Sequence, residues 1–119
     1  MTQMREGSDR QALRTSRAVS YIAEHYAGRI LLSDVAAACR LSASQFCRTF
    51  RKEHQASFGQ YLLRYRMARA RERLVSSDAL VKEVAYEVGF NDLSYFTRSF
   101  RRAFGVCPSA MINACPTRS

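Results

Sequence analysis

The chain has 119 residues, 47% of them apolar, and its 19 basic and 10 acidic side chains give a net charge of +9 and a pI near 10.0. This length suits one domain or two very small ones that share a core, and the composition does not indicate disorder outside the ends. So basic a chain is expected to bind an anionic partner: nucleic acid, a membrane surface or an acidic protein.

No segment of the sequence is typical of membrane insertion or export. A membrane-spanning helix needs a run of about 18 apolar residues, and no run approaches this length. The polar N-terminus lacks the apolar centre of a secretory signal. We therefore expect a cytoplasmic protein.

Arginine dominates the basic residues, since only Lys52 and Lys82 are lysines. The planar guanidinium makes two-pronged contacts with phosphate and with guanine, so this preference is typical of a nucleic-acid binder. A genome rich in arginine codons explains the same bias equally well, and composition alone leaves both explanations open.

Apolar residues recur at helical spacing through most of the chain, while prolines are few and no β-branched run alternates with period two. We therefore predict an all-α fold. After a flexible tail of residues 1–12, the predicted helices cover residues 16–28, 33–39, 43–54, 58–75, a short segment before residue 90, and 92–104. The expected N-caps of the first three are Ser16, Ser33 and either Ser42 or Ser44.

Two parts of the chain repeat one pattern. Residues 32–57 read LSDVAAACRLSASQFCRTFRKEHQAS, and residues 81–109 read VKEVAYEVGFNDLSYFTRSFRRAFGVCPS. Phe46 corresponds to Phe96, and the second copy has one extra residue between its turn and this phenylalanine. Each copy is a short helix, a tight turn and a longer helix. That is the helix-turn-helix arrangement, whose second helix enters the major groove of DNA.

The longer helix of each copy has an apolar face and a basic face. On a helical wheel of the second copy, one arc holds the apolar residues Leu93, Phe96, Phe100, Ala103 and Phe104. The opposite side holds Ser94, Arg98, Arg101 and Arg102. In the first copy Phe46 and Phe50 face inward, and the matching outer positions hold Ser44, Arg48, Arg51 and Lys52. A single arginine here is equally well a solubilising surface residue, but agreement between two copies favours DNA contact by the set.

The long helix predicted over residues 58–75 separates the two copies. Its expected buried stripe is Leu63, Met67, Ala70 and Leu74, and its length is about 27 Å at ~1.5 Å per residue. Two recognition helices held about 34 Å apart, one turn of B-DNA, would enter successive major grooves. A single chain would then bind an asymmetric site without dimerising. Residues 43–73 include eight basic and two acidic side chains, a net charge of +6 that predicts steeply salt-dependent binding.

The second copy resembles the signature of the AraC/XylS family of bacterial transcription regulators. The resemblance lies in Ala85, Gly89 and Phe90, and then in residues 94–96, 98, 100–101, 104–105 and 108–109. The first copy and the segment RMARARERL of the long helix are similar to the rest of the family's domain, so the resemblance covers about residues 16–112. It implies about seven helices, forming two helix-turn-helix subdomains joined by a long central helix. The implied parts are a tail at 1–12, subdomains at 13–56 and 77–114, a connecting helix at 57–76 and a tail at 115–119.

The resemblance also implies roles for particular residues of the two recognition helices, at about residues 43–54 and 92–104. The base-contact candidates are Ser44, Gln45, Cys47 and Arg48 in the first helix and Ser94, Tyr95, Thr97 and Arg98 in the second. The phosphate-contact candidates are Ser42, Arg51, Lys52, Asn91, Arg101 and Arg102. Many members of the family are activators that recruit RNA polymerase. Promoter DNA and RNA polymerase are therefore the expected partners, and the nucleoid is the expected location.

The sequence departs from the family pattern at three places. Gln55 stands where a glycine is usual, Phe58 replaces the usual proline that opens the next helix, and residues 111–113 replace an aromatic-arginine ending. Many members also carry a separate sensing domain. We expect this chain to be either a short stand-alone regulator that binds DNA as a monomer, as the Met1 start favours, or the DNA-binding half of a longer, dimeric protein.

No grouping of residues indicates an enzyme, a metal site or a cofactor. The four cysteines form no Cys-x-x-Cys pair and have no histidine at ligand spacing, so free thiols are expected at Cys39, Cys47, Cys107 and Cys115. Cys47, beside Arg48, is interpreted as a passive contact or packing residue rather than a redox sensor. The alternative to a DNA reader is a protein-interaction module on the same fold, which binds a regulator or an RNA polymerase subunit and has only weak DNA affinity. A membrane-lying helix is disfavoured because each apolar face has a matching apolar helix.

Overall fold

The computed structural model describes residues 13–76 and 79–114, with side chains as far as Met111. These residues form seven α-helices, and no strand occurs among them. We number them α1 (Ser16–His25), α2 (Leu32–Ala38), α3 (Ala43–His54), α4 (Phe58–Ser76), α5 (Val81–Glu87), α6 (Leu93–Phe104) and α7 (Pro108–Ala114). The predicted all-α fold is confirmed. The two predicted tails, residues 1–12 and 115–119, lie outside the described residues.

Contacts between residues divide the chain into two units. The described part of the first unit comprises residues 13–25 and 29–62, with helices α1 to α3 and the start of α4. The second unit comprises residues 26–28 and the described residues from 63 onward, with the rest of α4 and helices α5 to α7. Each unit therefore holds one short helix followed by a longer one, α2–α3 in the first and α5–α6 in the second. The subdomain boundaries expected from the sequence remain predictions.

The core of the first unit forms on the inner face of α3. Phe46 and Phe50, one helical turn apart, are fully buried with Val35 of α2 and Ala18 of α1. Phe58, at the start of α4, lies edge-on to both phenylalanines, with ring centroids 5.4 Å from Phe46 and 5.5 Å from Phe50. This T-shaped geometry is favourable for aromatic rings because their edges are positive and their faces negative.

The first unit needs no proline at the start of α4. The Gln60 N–H donates to Ser57 Oγ at 3.1 Å, and the Ser57 N–H donates to Gln60 Oε1 at 3.1 Å. This reciprocal cap satisfies N–H groups that the first helical turn leaves unpaired. Phe58 therefore replaces the usual proline without loss of the helix start, and its aromatic ring joins the core.

The core of the second unit repeats the plan on α6. Phe96 and Phe100 are fully buried, and they pack with Val84 of α5 and with residues of α4. The predicted stripe on α4 is confirmed, since Met67, Ala70 and Leu74 are buried and Leu63 packs partly buried against the same core.

The backbone of both units turns at residues in the left-handed region. Arg40 and Gly89 stand just before the turn into the recognition helix, with φ of 62° and 102°. Gln55 and Gly105 end that helix, with φ of 57° and 81°. Gln55 thus adopts the conformation that glycine usually supplies, at a cost of about 1–2 kcal/mol, and the turn is kept. Arg40 and Gly89 are 49 residues apart, whereas Gln55 and Gly105 are 50 residues apart. The extra residue of the second copy therefore lies between Gly89 and Gly105, at Asn91.

Several predicted helix ends are wrong. Ser16 and Ser33 lie inside α1 and α2 instead of capping them, and α2 has Leu31 at its N-cap position. α1 stops at His25, before the expected Gly28. α1 ends early because Tyr26 belongs to the second unit, where it packs against the core. The capping preference of a serine, about 1 kcal/mol, is too small to fix a helix start by itself.

The apolar arc predicted for α6 is covered only in its middle. Leu93 is 39% exposed and Ala103 is also exposed, although the helical wheel places both on the inner face. A wheel treats all turns of a helix alike, whereas the first residue and the last turn have fewer neighbours to cover them. The inward orientation of Phe96 and Phe100 is confirmed.

Candidate nucleic-acid interface

The outer faces of α3 and α6 hold most of the residues that the sequence predicts for DNA contact. On α3 the exposed candidates are Ser44, Gln45, Cys47, Arg48, Arg51 and Lys52. On α6 the exposed candidates are Ser94, Tyr95, Arg98, Arg101 and Arg102, while Thr97 is half-buried. Ser42 and Asn91 are exposed just before the two helices. Each unit therefore gathers its own candidates on one helix face, opposite the buried phenylalanines.

The basic residues of these faces have no acidic partner within the described chain. The ion pairs found there join Arg69 to Glu72 on α4 and Arg73 of α4 to Glu87 of α5, and His25 Nε2 lies 3.8 Å from Glu24 Oε1 on α1. None of them involves a basic residue of α3 or α6. The guanidinium and ammonium groups of both outer faces are therefore available to an external acceptor such as phosphate.

A reciprocal cap closes the first turn of α3. The Gln45 N–H donates to Ser42 Oγ at 3.2 Å, and the Ser42 N–H donates to Gln45 Oε1 at 3.2 Å. Ser42 is therefore the N-cap, and Ser44 is not. The cap occupies the Ser42 hydroxyl, predicted to contact a phosphate, and the amide oxygen of Gln45, predicted to contact a base.

The first turn of α6 is built differently. Asp92, predicted as the first residue of the helix, is its N-cap and accepts the Tyr95 N–H at 3.2 Å. Asn91 is the additional residue of this turn. The Tyr95 ring lies against Phe90, with centroids 5.6 Å apart.

The arginines of α4 fall into distinct groups. Arg69 donates to Glu72 at 2.9 Å. Arg73 pairs with both carboxylate oxygens of Glu87, with Nε to Oε1 at 2.9 Å and Nη2 to Oε2 at 3.1 Å. The hydrogen bonds from Arg73 hold the pKa of Glu87 below its usual value. Some of the basic residues of this helix are therefore paired with acids and not available to DNA. Arg64 is exposed and takes part in none of these pairs.

Arg66 is half-buried, unlike the other arginines of this helix. Its Nε donates to the Tyr26 carbonyl at 2.8 Å, and its Nη2 donates to the Gly28 carbonyl at 3.0 Å. Burial lowers the pKa of Arg66. These two hydrogen bonds hold the segment between α1 and α2 against α4 within the second unit.

The end of α3 is tied to the residues before α1 through Glu53. The Thr15 hydroxyl donates to Glu53 Oε1 at 2.6 Å, and the N–H groups of Arg14 and Thr15 donate to Oε2 at 2.7 Å and Oε1 at 3.0 Å. The Thr15 oxygen also lies 2.9 Å from His54 Nε2. A proton on Nε2 fits this contact, because the single hydroxyl proton is directed to Glu53. Burial raises the pKa of Glu53, but the three hydrogen bonds and nearby His54 outweigh burial and hold the pKa below its usual value.

We expect Glu53→Gln to lower the stability of the first unit at neutral pH by about 1–3 kcal/mol, because charged hydrogen bonds are lost. The folded pKa lies below the unfolded value near 4.5. The contribution of the carboxylate is therefore complete above that pH and disappears as the pH falls through the folded pKa. Urea unfolding of both proteins from about pH 7 to about pH 3 measures the difference, which should shrink in acid.

Glu24→Gln is the matched control for this experiment. Its carboxylate lies on the exposed side of α1, with 72% of the side chain accessible, so a change below about 0.5 kcal/mol is expected. A Glu53→Gln deficit that stays constant across the pH range would contradict the role assigned to the Glu53 carboxylate.

Sequence reasoning found the two outer faces but missed Arg66 and Glu53, which hold neighbouring segments in place. Glu53 does carry a signal. An acidic side chain in the last turn of a helix is unfavourable to the helix dipole, so its presence there indicates a specific partner. Nothing in the charge pattern distinguishes Arg66 from Arg64 or Arg69, because its role depends on carbonyl groups about 40 residues away.

The described residues contain no group of three or more His, Cys, Asp and Glu side chains able to hold a metal ion. Cys39, Cys47 and Cys107 are free thiols, and Cys115 lies outside the described residues. Burial raises the pKa of the Cys39 thiol, while Cys47 is exposed on the outer face of α3. None of the described helices is both long enough and apolar enough to span a membrane.

Comparison with known proteins agrees with this geometry. A family model described as a helix-turn-helix domain matches residues 35–114. The chain is 35% identical over 95 residues to YdeC, an uncharacterized HTH-type transcriptional regulator of Bacillus subtilis, covering 80% of this chain and 33% of YdeC. It is 30% identical over 105 residues to the HTH-type transcriptional activator RhaS of Escherichia coli, covering 88% of this chain and 38% of RhaS. The chain thus spans about a third of the length of these curated relatives.

A solved structure shows the same arrangement of helices. The DNA-binding domain of AdpA, a global transcriptional factor, solved in complex with a target DNA, matches with a TM-score of 0.81 at 30% identity. The match covers 87% of this chain and 94% of that domain. The family model, the relatives and the fold agree with the residue pattern of the two repeats. This chain therefore belongs to the AraC/XylS family of DNA-binding transcription regulators.

Proposed function

We propose that the chain binds promoter DNA sequence-specifically and inserts α3 and α6 into successive major grooves of an asymmetric site. One observation carries the proposal, namely the repeated basic face. Arg48 and Arg51 of α3 correspond to Arg98 and Arg101 of α6, each pair 50 residues apart, and all four are exposed. None has an acidic partner within the described chain. A helix face that serves only for solubility would not need arginines at corresponding positions in both copies.

The position of a residue along the recognition helix suggests its task. The N-terminal part of such a helix reaches the base edges, so we assign base contacts to Ser44, Gln45, Cys47 and Arg48 and to Ser94, Tyr95, Thr97 and Arg98. Residues before the helix and in its later turns meet the sugar-phosphate backbone, which fixes register without reading sequence. We assign phosphate contacts to Ser42, Arg51, Lys52, Asn91, Arg101 and Arg102.

Activation through RNA polymerase is part of the proposal. RhaS is named a transcriptional activator, and this similarity supports an activating role at promoters. We further propose that residues 13–56 and 77–114 act as the two reading subdomains, joined by residues 57–76, and that one chain suffices for one asymmetric site. The protein would then work on nucleoid DNA in the cytoplasm.

Selection of preferred duplexes from a random pool tests this function. The expected product is a bipartite, asymmetric motif with half-sites about 10 bp apart. The logarithm of affinity should fall linearly with the logarithm of salt concentration, because phosphate contacts release counterions. Arg64→Ala, which removes an exposed arginine outside the recognition helices, should select the same motif. Enrichment of no motif would overturn the proposal and favour a protein-interaction module with weak DNA affinity.

A further inference from the structure

Arg66 occupies a closely fitted place in the second unit. Its guanidinium donates hydrogen bonds to the carbonyls of Tyr26 and Gly28. Because the guanidinium is planar and rigid, the side chain loses little conformational entropy for each hydrogen bond that it forms. The chain at Gly89 closes over it. A Cβ atom at Gly89, where φ is 102°, would lie 2.9 Å from the Tyr26 oxygen and 3.0 Å from Arg66 Nε. Only glycine fits there, because both the space and the backbone conformation exclude a side chain.

The guanidinium of Arg66 also meets an aromatic ring. Its Cζ lies 5.9 Å from the centroid of Phe90, within the range of a cation–π contact. The Phe90 ring, only 4% exposed, packs edge-on against Phe96 with centroids 5.2 Å apart. The ring of Phe90 is therefore held by Arg66 and by the core.

Phe90 in turn supports a residue of the recognition helix. The Tyr95 ring lies 5.6 Å from the Phe90 ring, at an interplanar angle of 47°, while 47% of Tyr95 remains exposed. One side of the tyrosine is thus fixed against the turn and the other faces solvent. A side chain held in one orientation before binding does not have to be ordered when the complex forms.

The first unit orders the corresponding residue by other means. Gln45 takes the place of Tyr95, and its amide oxygen accepts from the Ser42 N–H in the reciprocal cap. Leu41 takes the place of Phe90. Tyrosine has no amide to close such a cap, and in the second unit the Tyr95 ring rests instead against the tilted ring of Phe90.

We propose that Arg66 is a positioning residue that orients Tyr95 through Phe90 and so sets the base preference of the second helix-turn-helix. The inference rests on the proposed function and extends it to a residue outside both recognition helices. Arg66 acts through Phe90, and of Arg66, Phe90 and Tyr95 only Tyr95 meets the DNA. The expected signature is a loss of base discrimination confined to the half-site that α6 reads.

Arg66→Lys tests the inference, since it keeps the positive charge but cannot hold both carbonyls in a fixed fork. Base preference is measured by duplex selection and by binding to single-base variants of the selected site. We expect discrimination in the second half-site to fall about threefold to tenfold, with the first half-site and the salt slope unchanged. In a Tyr95→Ala background the same substitution should have no further effect.

Two further variants provide a second test and a control. Phe90→Leu installs the residue found at the equivalent position of the first unit and should relax the same half-site. Arg69→Lys changes an exposed arginine of the same helix and should leave both half-sites unchanged. Circular dichroism and thermal unfolding establish that each variant is folded.

The outcomes separate the inference from the function on which it rests. Arg66→Lys overturns the inference if it weakens all sequences alike, leaves base preference intact, or adds its full effect to that of Tyr95→Ala. An unsubstituted protein that selects no motif overturns the proposed function, and the inference with it.

Discussion

Arg98→Ala is expected to lower affinity for the selected duplex by about 1–3 kcal/mol and to relax base preference at one position of the second half-site. Arg98 is exposed on α6 and has no acidic partner within the described chain. Its guanidinium is therefore free to make a two-pronged contact with guanine. Titrations with the selected site and with each single-base variant measure both effects.

Arg101→Ala is the matched control, because it removes the same group from the next turn of the same face. We expect it to weaken binding to all sequences alike and to reduce the slope of log affinity against log salt by about one. Arg48→Ala should reproduce the Arg98→Ala result in the first half-site. Unchanged affinity and base preference in Arg98→Ala would mean that α6 does not read DNA.

Phe100→Ala should destabilise the second unit by about 3–5 kcal/mol. Its side chain is fully buried and packs against Phe96 at 5.8 Å and Phe104 at 4.7 Å between ring centroids. Removing the ring leaves a cavity that the surrounding side chains fill only in part. Since small domains have a total stability of about 5–15 kcal/mol, this loss is large. Denaturant unfolding monitored by circular dichroism gives the difference.

Leu93→Ala is the comparison that distinguishes the structure from the helical wheel. The wheel places Leu93 and Phe100 on the same apolar arc, but Leu93 is 39% exposed. We expect its loss to cost about 1 kcal/mol or less. A cost as large as that of Phe100→Ala would show that Leu93 is covered and that the burial described for α6 is incorrect.

Prediction from sequence was most successful where a signal was periodic or repeated. The inward set Phe46, Phe50, Phe96 and Phe100 follows from helical spacing, and the structure buries all four. The extra residue of the second copy was equally visible, because two copies of one pattern can be aligned. Helix ends were less predictable. Ser16 and Ser33 have good capping chemistry, yet each lies inside its helix, since a capping preference of about 1 kcal/mol does not fix a helix start by itself.

In the candidate interface, too, some features were predictable from the sequence and others were not. The sequence predicted which residues face outward, because helical period and charge are local properties that survive in any packing. It could not show which of the many arginines is half-buried against the rest of the fold. Arg66 and Arg69 lie three residues apart in α4, but one holds two backbone carbonyls and the other pairs with Glu72 at the surface.

The sequence by itself determined the all-α class, the two repeats, the buried phenylalanines and the basic outer faces. Each depends on residue type at a fixed spacing along one helix. Only the tertiary structure decided that Glu53 holds Thr15, that Gln55 adopts the left-handed conformation, and that Arg66 and Phe90 lie behind Tyr95. Glu53–Thr15 and the contacts of Arg66 join residues far apart in sequence, and the conformation of Gln55 is set by the turn into which it is fitted. Such features follow from the packing of whole helices rather than from the pattern of any one of them.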